Sequence, residues 1–293
     1  MSPWRDIERS IRAATGASFT LESRTEAGGG CINECHVVRG AGRAFFVKLN
    51  APERAEMFSA EADGLREIAR TQTVRVPEPV CHGRSPDACW LVLEHLELHS
   101  SDERSMGALG RKLALMHRVA GGRYGWYRDN TIGATPQVNT GSDDWIAFWR
   151  EQRLGFQLKR AALKGHGGRL VANGERLMEK LPAFFEGYRP VPSLLHGDLW
   201  SGNAATAPGG EPVIFDPAVY YGDREADLAM TELFGGFARS FHEAYQAEFP
   251  LDPGYRSRRN LYNLYHVLNH LNLFGGTYGV QALRMIEQLL AEA

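Results

Sequence analysis

Hydrophobic positions along this chain change their rhythm near residue 100. Before it, short apolar runs alternate with turn residues. FTLESRTE, INECHVVRG and RAFFVKLN read as strands, the last two joined by Gly40-Ala41-Gly42, because alternation bounded by glycine is the mark of a half-buried strand. MSPWRDIERSIRAATG precedes them as an amphipathic helix with Trp4, Ile7 and Ile11 on one face. A second helix is expected around PERAEMFSAEADGLREIAR, where Met57, Phe58, Leu65 and Ile68 form an apolar stripe. VRVPEPVCHG is broken by prolines, and the nearly continuous apolar run CWLVLEHLEL reads as a buried strand.

Beyond residue 100 the period becomes helical. SDERSMGALGRKLALMHRV carries Met106, Leu109, Leu113 and Met116 at helical spacing, with Ser101 or Asp102 as its cap. SDDWIAFWREQRLGFQLKRA opens on Ser142 as a cap, with acids in the first turn. Further helical patterns cover residues 169–188 and 224–234, and run from 256 to the C-terminus. Between Leu194 and Asp216 short strands flank APGGEP, a hairpin signal. The expected fold class is therefore α+β and bilobal. A small β-rich N-terminal lobe is expected over residues 1–95 and a larger, mainly helical lobe over 96–293. The length allows one large domain or two lobes, each with its own core.

Composition narrows the function. The 293 residues are 43% hydrophobic and 23% charged, with 33 Lys+Arg against 35 Asp+Glu. That balance, with no basic run, argues against nucleic acid as a partner. No apolar run is long enough to span a bilayer, and the N-terminus lacks the features of a signal peptide, so a cytoplasmic location is expected. The cysteines Cys31, Cys35, Cys81 and Cys89 form no C-x-x-C pair. Reduced thiols fit better than a zinc site or disulfides.

The chemistry concentrates in LLHGDLWSGN, residues 194–203. Asp198 and Asn203 stand in the spacing H-x-D-x-x-x-x-N, in which kinases use the Asp to orient the acceptor hydroxyl and the Asn to hold magnesium. VIFDPA then places Asp216 after a strand, where a hairpin would bring it back toward the same ion. Two hard oxygen ligands are what Mg²⁺ needs when phosphates and water complete its octahedron. Lys48, at the end of FFVKLN, is placed to reach the nucleotide phosphates. Glu61 on the following helix is its chosen partner, with Glu56 and Asp63 as alternatives. Gly28, Gly29 and Gly30 offer backbone amides to phosphate, although G-x-G-x-x-G fails at its last position. These elements in this order point to phosphoryl transfer from ATP with Mg²⁺.

Two departures from protein kinases bear on the acceptor. The H-R-D arginine is replaced by Gly197, and D-F-G becomes Asp216-Pro217-Ala218. No A-P-E follows, so a phosphorylation-gated activation loop has no place. A small molecule, or a small group on a larger one, is the expected acceptor.

LLHGDLWSGN, IFDPAVYYGDREADLAMTELFGGF, YRDNTIGATPQVN with DDWIAFWREQRL, and VKLNAPERAEMFSAEADGL together resemble the fructosamine kinase (ketosamine 3-kinase) family over essentially the whole chain. The resemblance implies a protein-kinase-like fold and transfer of the ATP γ-phosphate to O3 of a ketosamine, free or on a glycated protein, leading to deglycation. It implies a Lys48–Glu61 ion pair, Asp198 as base, Asn203 and Asp216 as metal ligands, a hinge at Glu94-His95-Leu96 that contacts adenine, and Asp227 as a buried brace. Asn130, Thr131, Asn269, His270 and Asn272 are implied acceptor-pocket residues. Trp200 lies against the sugar or an amine cation, or else fills the core. His196 is expected to be structural. Cys31 matches a cysteine of many relatives and is either packing or a redox-sensitive thiol able to link two chains. Cys35 stands where the family often has glycine. The alternatives are a kinase for another small hydroxyl compound, such as an aminoglycoside or amino alcohol, and a nucleotide-binding pseudokinase.

Overall fold

The computed structural model describes residues 3–28 and 32–293. Helix α1 (Trp4–Thr15) leads into strands β1 (Ser23–Glu26), β2 (Glu34–Gly40) and β3 (Arg43–Asn50), followed by helix α2 (Ala55–Arg70) and strands β4 (Pro79–Arg84) and β5 (Cys89–Glu94). The strands form one antiparallel sheet in the order β1-β2-β3-β5-β4. Pro79 is tolerated because β4 lies at the sheet edge, where a missing N–H costs no ladder bond.

Alternation along the strands sorts their side chains. Phe45, Val47 and Leu49 of β3, with Trp90 and Val92 of β5, pack on Ile7 and Ile11 of α1. Cys89, Leu91 and Leu93 face the other way, with Met57, Phe58, Leu65 and Ile68 of α2. Lys48 lies between Val47 and Leu49, so the period of two turns it toward α2.

The chain then runs through α3 (Glu103–His117), hairpin β6 (Asn130–Ile132) and β7 (Thr135–Gln137), and helices α4 (Trp145–Phe148) and α5 (Gly155–Leu163). Residues Trp149–Leu154 between these two helices form a π-helical turn. Helix α6 (Arg169–Lys180) is followed by β8 (Ser193–Leu195), hairpin β9 (Ala204–Ala207) and β10 (Glu211–Ile214), and β11 (Tyr220–Gly222), which pairs with β8. Helices α7 (Glu225–Thr231), α8 (Arg239–Glu248), α9 (Tyr255–Phe274) and α10 (Tyr278–Glu292) complete it.

Local chemistry settles several expected boundaries. Asp102, not Ser101, caps α3: its carboxylate accepts from Ser105 N at 2.8 Å, and Ser105 Oγ accepts from Asp102 N at 2.9 Å. Ser142 does not cap the next helix. Its hydroxyl accepts from Asp144 N within a turn, and Asp144 caps by accepting from Ala147 N at 3.1 Å. The helix expected from residue 256 onward divides at Gly275 and Gly276, both with positive φ. Helix α8 was not expected, because only Phe241 and Tyr245 of its residues are buried.

The β-rich and helical regions do not have separate cores. One apolar cluster runs from α2 and the inner sheet face through α3 to α9 and α10, while α1 closes a second, smaller one on the outer face. Backbone pairing also crosses between them: Ile214 N donates to Arg75 O at 3.0 Å, and His99 and Thr206 exchange bonds of 2.8 and 3.0 Å.

Helices α3 and α8 touch through Gly110, where an added Cβ would stand 2.2 Å from the Phe241 carbonyl oxygen. Gly110→Ala is therefore expected to cost about 1–3 kcal/mol, the range for overpacking. A lower urea midpoint at an unchanged slope would register it. An unchanged midpoint would contradict this close approach.

Candidate active site

Lys48 is the centre of the site. Its ammonium, 3% exposed as a residue, lies 2.5 Å from Glu61 Oε1 and 2.6 Å from Asp216 Oδ1. Glu61 projects from α2 and Asp216 follows β10, so the cation joins both sides of the cleft. Burial pushes the Lys48 pKa down, but Asp216 and Glu61 outweigh it and hold the amine protonated, above its ordinary value. Burial pushes Glu61 up against the pull of Lys48. Glu56 and Asp63, the alternative partners, point elsewhere: both bind Arg128.

The segment 194–203 leaves β8 and turns sharply at Gly197, whose φ is +83°. An added Cβ there would stand 2.1 Å from the Ala218 carbonyl oxygen, so glycine is needed both for the dihedral and for the approach. Asp227 anchors the turn: its carboxylate accepts from His196 N at 2.7 Å and Gly197 N at 2.8 Å, and His117 Nε2 lies 3.1 Å away. Burial alone would raise this carboxyl, but His117, His196 and the Gly197 amide hold it below the usual carboxylate range. The buried His196 ring donates from Nε2 to Phe215 O at 2.9 Å, and Nδ1 accepts from Asp198 N at 3.3 Å. A carbonyl can only accept, which fixes the neutral tautomer. Burial also lowers the His196 pKa.

The half-buried Asp198 has its carboxyl pushed up to about 7, first by burial and then by Asp216 and Asp227. Such a group is poised as a proton acceptor near neutrality. Asn203 Nδ2 donates to Asp198 O at 2.8 Å, which leaves the amide oxygen as the atom it can offer a cation. Phe215 N donates to Asn203 O at 3.1 Å and ties the two ends of the hairpin, bringing Asn203 and Asp216 to the same end. Asp216 adopts a left-handed φ of +58° with its side chain 47% exposed. An amide oxygen and a carboxylate are hard donors that fit Mg²⁺. Among the described residues no group of three or more His, Cys, Asp or Glu forms a metal cluster, so an ion here would draw its other ligands from phosphate and water.

At the expected hinge, Glu94 ends β5, with its carboxylate paired to Arg75 and accepting from Glu78 N at 3.0 Å. Leu96 is half-buried in the connector. Gly28 is exposed beyond β1, while Gly29, Gly30 and Cys31 lie outside the described residues. Cys35 is a cross-strand partner of Lys48, and burial pushes its thiol up to about 11.

The expected acceptor residues divide. Trp200 is 38% exposed, not core filling, and its indole covers Gly202, where a Cβ would meet the ring at 2.3 Å. The half-buried His270 packs on Phe234 with ring centroids 4.4 Å apart, and Ser201 Oγ reaches Phe234 O at 3.5 Å, so this cluster adjoins the catalytic segment. Thr131 is half-buried in β6. Asn130 and Asn272 are both buried. Asn130 is buried, donating to Val219 O at 2.8 Å and accepting from Gln137 and Asn139. Asn272 donates to Gln157 O and Oε1 at 2.9 and 2.7 Å, and Asn269 accepts from Gln157 at 3.3 Å, so both belong to the contact between α5 and α9. The Asn130 amide is paired at both ends and holds backbone in place, whereas Asn272 Oδ1 is buried without a partner. Sequence reasoning also missed Arg128 and Gln137. Both lie in the distinctive YRDNTIGATPQ stretch, which was the available signal.

If Gly197 is required as described, Gly197→Ala should force the catalytic turn away from Ala218. Turnover is expected to fall at least about tenfold, with a stability loss of about 1–3 kcal/mol. Steady-state rates beside thermal melts would show it, and wild-type turnover in this variant would refute the crossing.

A family model for fructosamine kinase matches residues 3–292. The chain is 47% identical over 290 residues to a "Probable ketoamine kinase" of Synechocystis sp., covering 99% of this chain and 97% of that protein. It is 42% identical over 278 residues to a chloroplastic protein-ribulosamine 3-kinase of Oryza sativa subsp. japonica, covering 94% and 81%. The crystal structure of a candidate fructosamine-3-kinase from Haemophilus somnus superposes with a TM-score of 0.91 at 29% identity, over 98% of this chain and 97% of the other. The aminoglycoside phosphotransferase APH(4)-Ia matches with a TM-score of 0.62 at 14% identity, covering 97% and 98%, a likeness of fold alone. The fold is thus protein-kinase-like, and this chain belongs to the fructosamine kinase family.

Proposed function

We propose that this protein transfers the γ-phosphate of ATP to O3 of ketosamines, the adducts that reducing sugars leave on amines. The observation that carries the reading is the Lys48 ammonium held between Glu61 and Asp216, in a full-length member of the fructosamine kinase family. Lys48 binds nucleotide phosphate, with Glu61 fixing its direction. Glu94 and Leu96 lie at the adenine end, and Gly28 with its neighbouring glycines lies over the phosphates. Asn203 and Asp216 would hold Mg²⁺, which would neutralise phosphate charge.

Asp198 orients the acceptor hydroxyl and takes its proton as the oxygen attacks the γ-phosphorus. A new P–O bond forms, the bond to ADP breaks, and the proton resides on the Asp198 carboxylate. Trp200 and His270 line the acceptor side. The 3-phosphate adduct then eliminates inorganic phosphate, and water hydrolyses the C–N bond to free the amine and leave the sugar as a dicarbonyl, so the overall outcome is deglycation of a small amine or of a protein. Transfer to an aminoglycoside or amino alcohol has only the shared fold in its favour, and a pseudokinase is disfavoured because Lys48, Asp198, Asn203 and Asp216 are all present. A cytoplasmic location is supported by the free thiols of Cys35, Cys81 and Cys89. No helix among the described residues is long and apolar enough to cross a membrane.

An acceptor panel with labelled ATP tests the substrate class: ketosamines should be labelled, and labelling of aminoglycosides or amino alcohols in their place would overturn it. In the same assay Asp198→Asn should lower turnover roughly 10²–10⁴-fold, the usual share of general-base catalysis, while ATP affinity persists. A parallel loss of ATP affinity would place Asp198 on the nucleotide and not on the acceptor.

A further inference from the structure

We propose that Arg128 is a positioning residue that clamps helix α2 to the helical region and so holds Glu61 on Lys48. Residues Glu56, Ser59, Asp63 and Glu67 recur at helical spacing and share one face of α2. All of them bind side chains from beyond residue 120. Arg128 Nη1 donates to Asp63 Oδ2 at 2.6 Å and to Ser59 Oγ at 3.0 Å, and Nη2 donates to Glu56 Oε2 at 2.9 Å. Tyr127 OH reaches the same Asp63 oxygen at 2.7 Å, and Tyr221 OH donates to Glu67 Oε1 at 2.8 Å. Gly64 lets Val219 approach the helix, an added Cβ meeting it at 3.1 Å.

The contacts are unequal. Glu56 is 90% exposed and contributes little, as solvent-exposed ion pairs generally do. Asp63 and Arg128 are 28% and 22% exposed, and the fork of the guanidinium fixes direction as well as distance. The same chain segment holds the other partner of Lys48. Gln137 Nε2 donates to Ala218 O at 2.9 Å and Asn130 Nδ2 to Val219 O, just after Asp216. Residues 127–137 thus fix both carboxylates that hold the lysine, and they grip α2 along the face that carries Glu56, Ser59 and Asp63.

This inference rests on the reading of Lys48 and Glu61 as the nucleotide-binding pair, and its test uses ATP binding so that it stands apart from the identity of the acceptor. Titration calorimetry with ATP and Mg²⁺ compares wild type, Arg128→Ala, Arg128→Lys, Glu61→Gln and the double variant Glu61→Gln/Arg128→Ala. Arg128→Ala should weaken ATP about tenfold, and Arg128→Lys should keep part of that affinity. The double variant should bind within about twofold of Glu61→Gln alone, because a clamp acting through Glu61 has nothing left to position once that carboxylate is gone. A purely structural role would lower the melting temperature with ATP affinity unchanged, or give additive losses in the double variant. Either result overturns the proposal, as would full ATP affinity in Glu61→Gln. If Arg128→Ala does not fold, Tyr127→Phe removes one bond to Asp63 and should weaken ATP about two- to threefold; unchanged affinity there overturns the clamp. A wild type that binds ATP but labels no ketosamine would defeat the substrate assignment and not the clamp.

Discussion

A lysine ammonium in a nearly closed environment must be paired, and Lys48 is paired from both sides of a cleft. Withdrawing such a cation from water is costly, and losing one partner of a buried pair costs about 3–5 kcal/mol because it strands the other charge. Glu61, with an 11% exposed side chain, is the partner to which this applies. Asp216 is 47% exposed, so water shares its charge and its grip on Lys48 is weaker. That asymmetry suits the proposed reaction, in which Asp216 would also serve a metal ion while Glu61 would serve only the lysine. Much of the surrounding architecture follows from keeping these three groups together, since they come from a strand, a helix and a hairpin far apart in sequence.

The catalytic segment is organised by a second buried charge. Asp227, on α7, satisfies the backbone amides of His196 and Gly197, so one carboxylate fixes a turn that no regular element could hold. His117 meets that carboxylate from α3, and Tyr245 of α8 bonds the other ring nitrogen at 2.9 Å. The α3–α8 packing at Gly110 and the position of Asp198 are thereby linked through buried hydrogen bonds. Such chains are costly when half satisfied and specifying when complete.

How much of this was legible in the sequence depends on whether the signal was local. The strand alternation that turns Lys48 toward α2, the hairpin that returns Asp216 toward Asn203, and the glycine at 197 are written in short stretches, and pattern reading finds them. Glu61 was separable from Glu56 and Asp63 only as a choice, because all of them lie on one helix and the winner depends on which face meets β3. Asn130 and Asn272 are hard to place from sequence for the opposite reason. An amide that lines a pocket and one that secures a neighbouring backbone look alike in sequence, and only burial with matched partners separates them. The short strands β8 and β11 pair across a long separation, and α8 buries too little to declare itself, so neither had a periodic signature. The shared core was not legible either, since composition says how much apolar surface exists and not whether it is divided.

Rigidity is distributed unevenly around the cleft, and the distribution has chemical sense. Among the described residues, the charged groups proposed to face the nucleotide are held by others: Lys48 by Glu61 and Asp216, Glu94 by Arg75, and the helix of Glu61 by Arg128. Phosphate transfer gains most from such preorganised charge, because the phosphoryl group asks for positioning and electrostatic stabilisation and little covalent help. On the other side the chain exposes Trp200 over Gly202, with the aromatic cluster of Phe234, His270 and Tyr278 beside it. Burial lowers the His270 pKa, and its Nδ1 donates to His266 O at 2.8 Å, so the ring presents neutral aromatic surface. Flat apolar faces with few fixed donors select by shape and tolerate variation in what is attached to the reacting group. For the proposed reaction, this arrangement suits a nucleotide held in a strict frame and an acceptor recognised beyond its hydroxyl by shape.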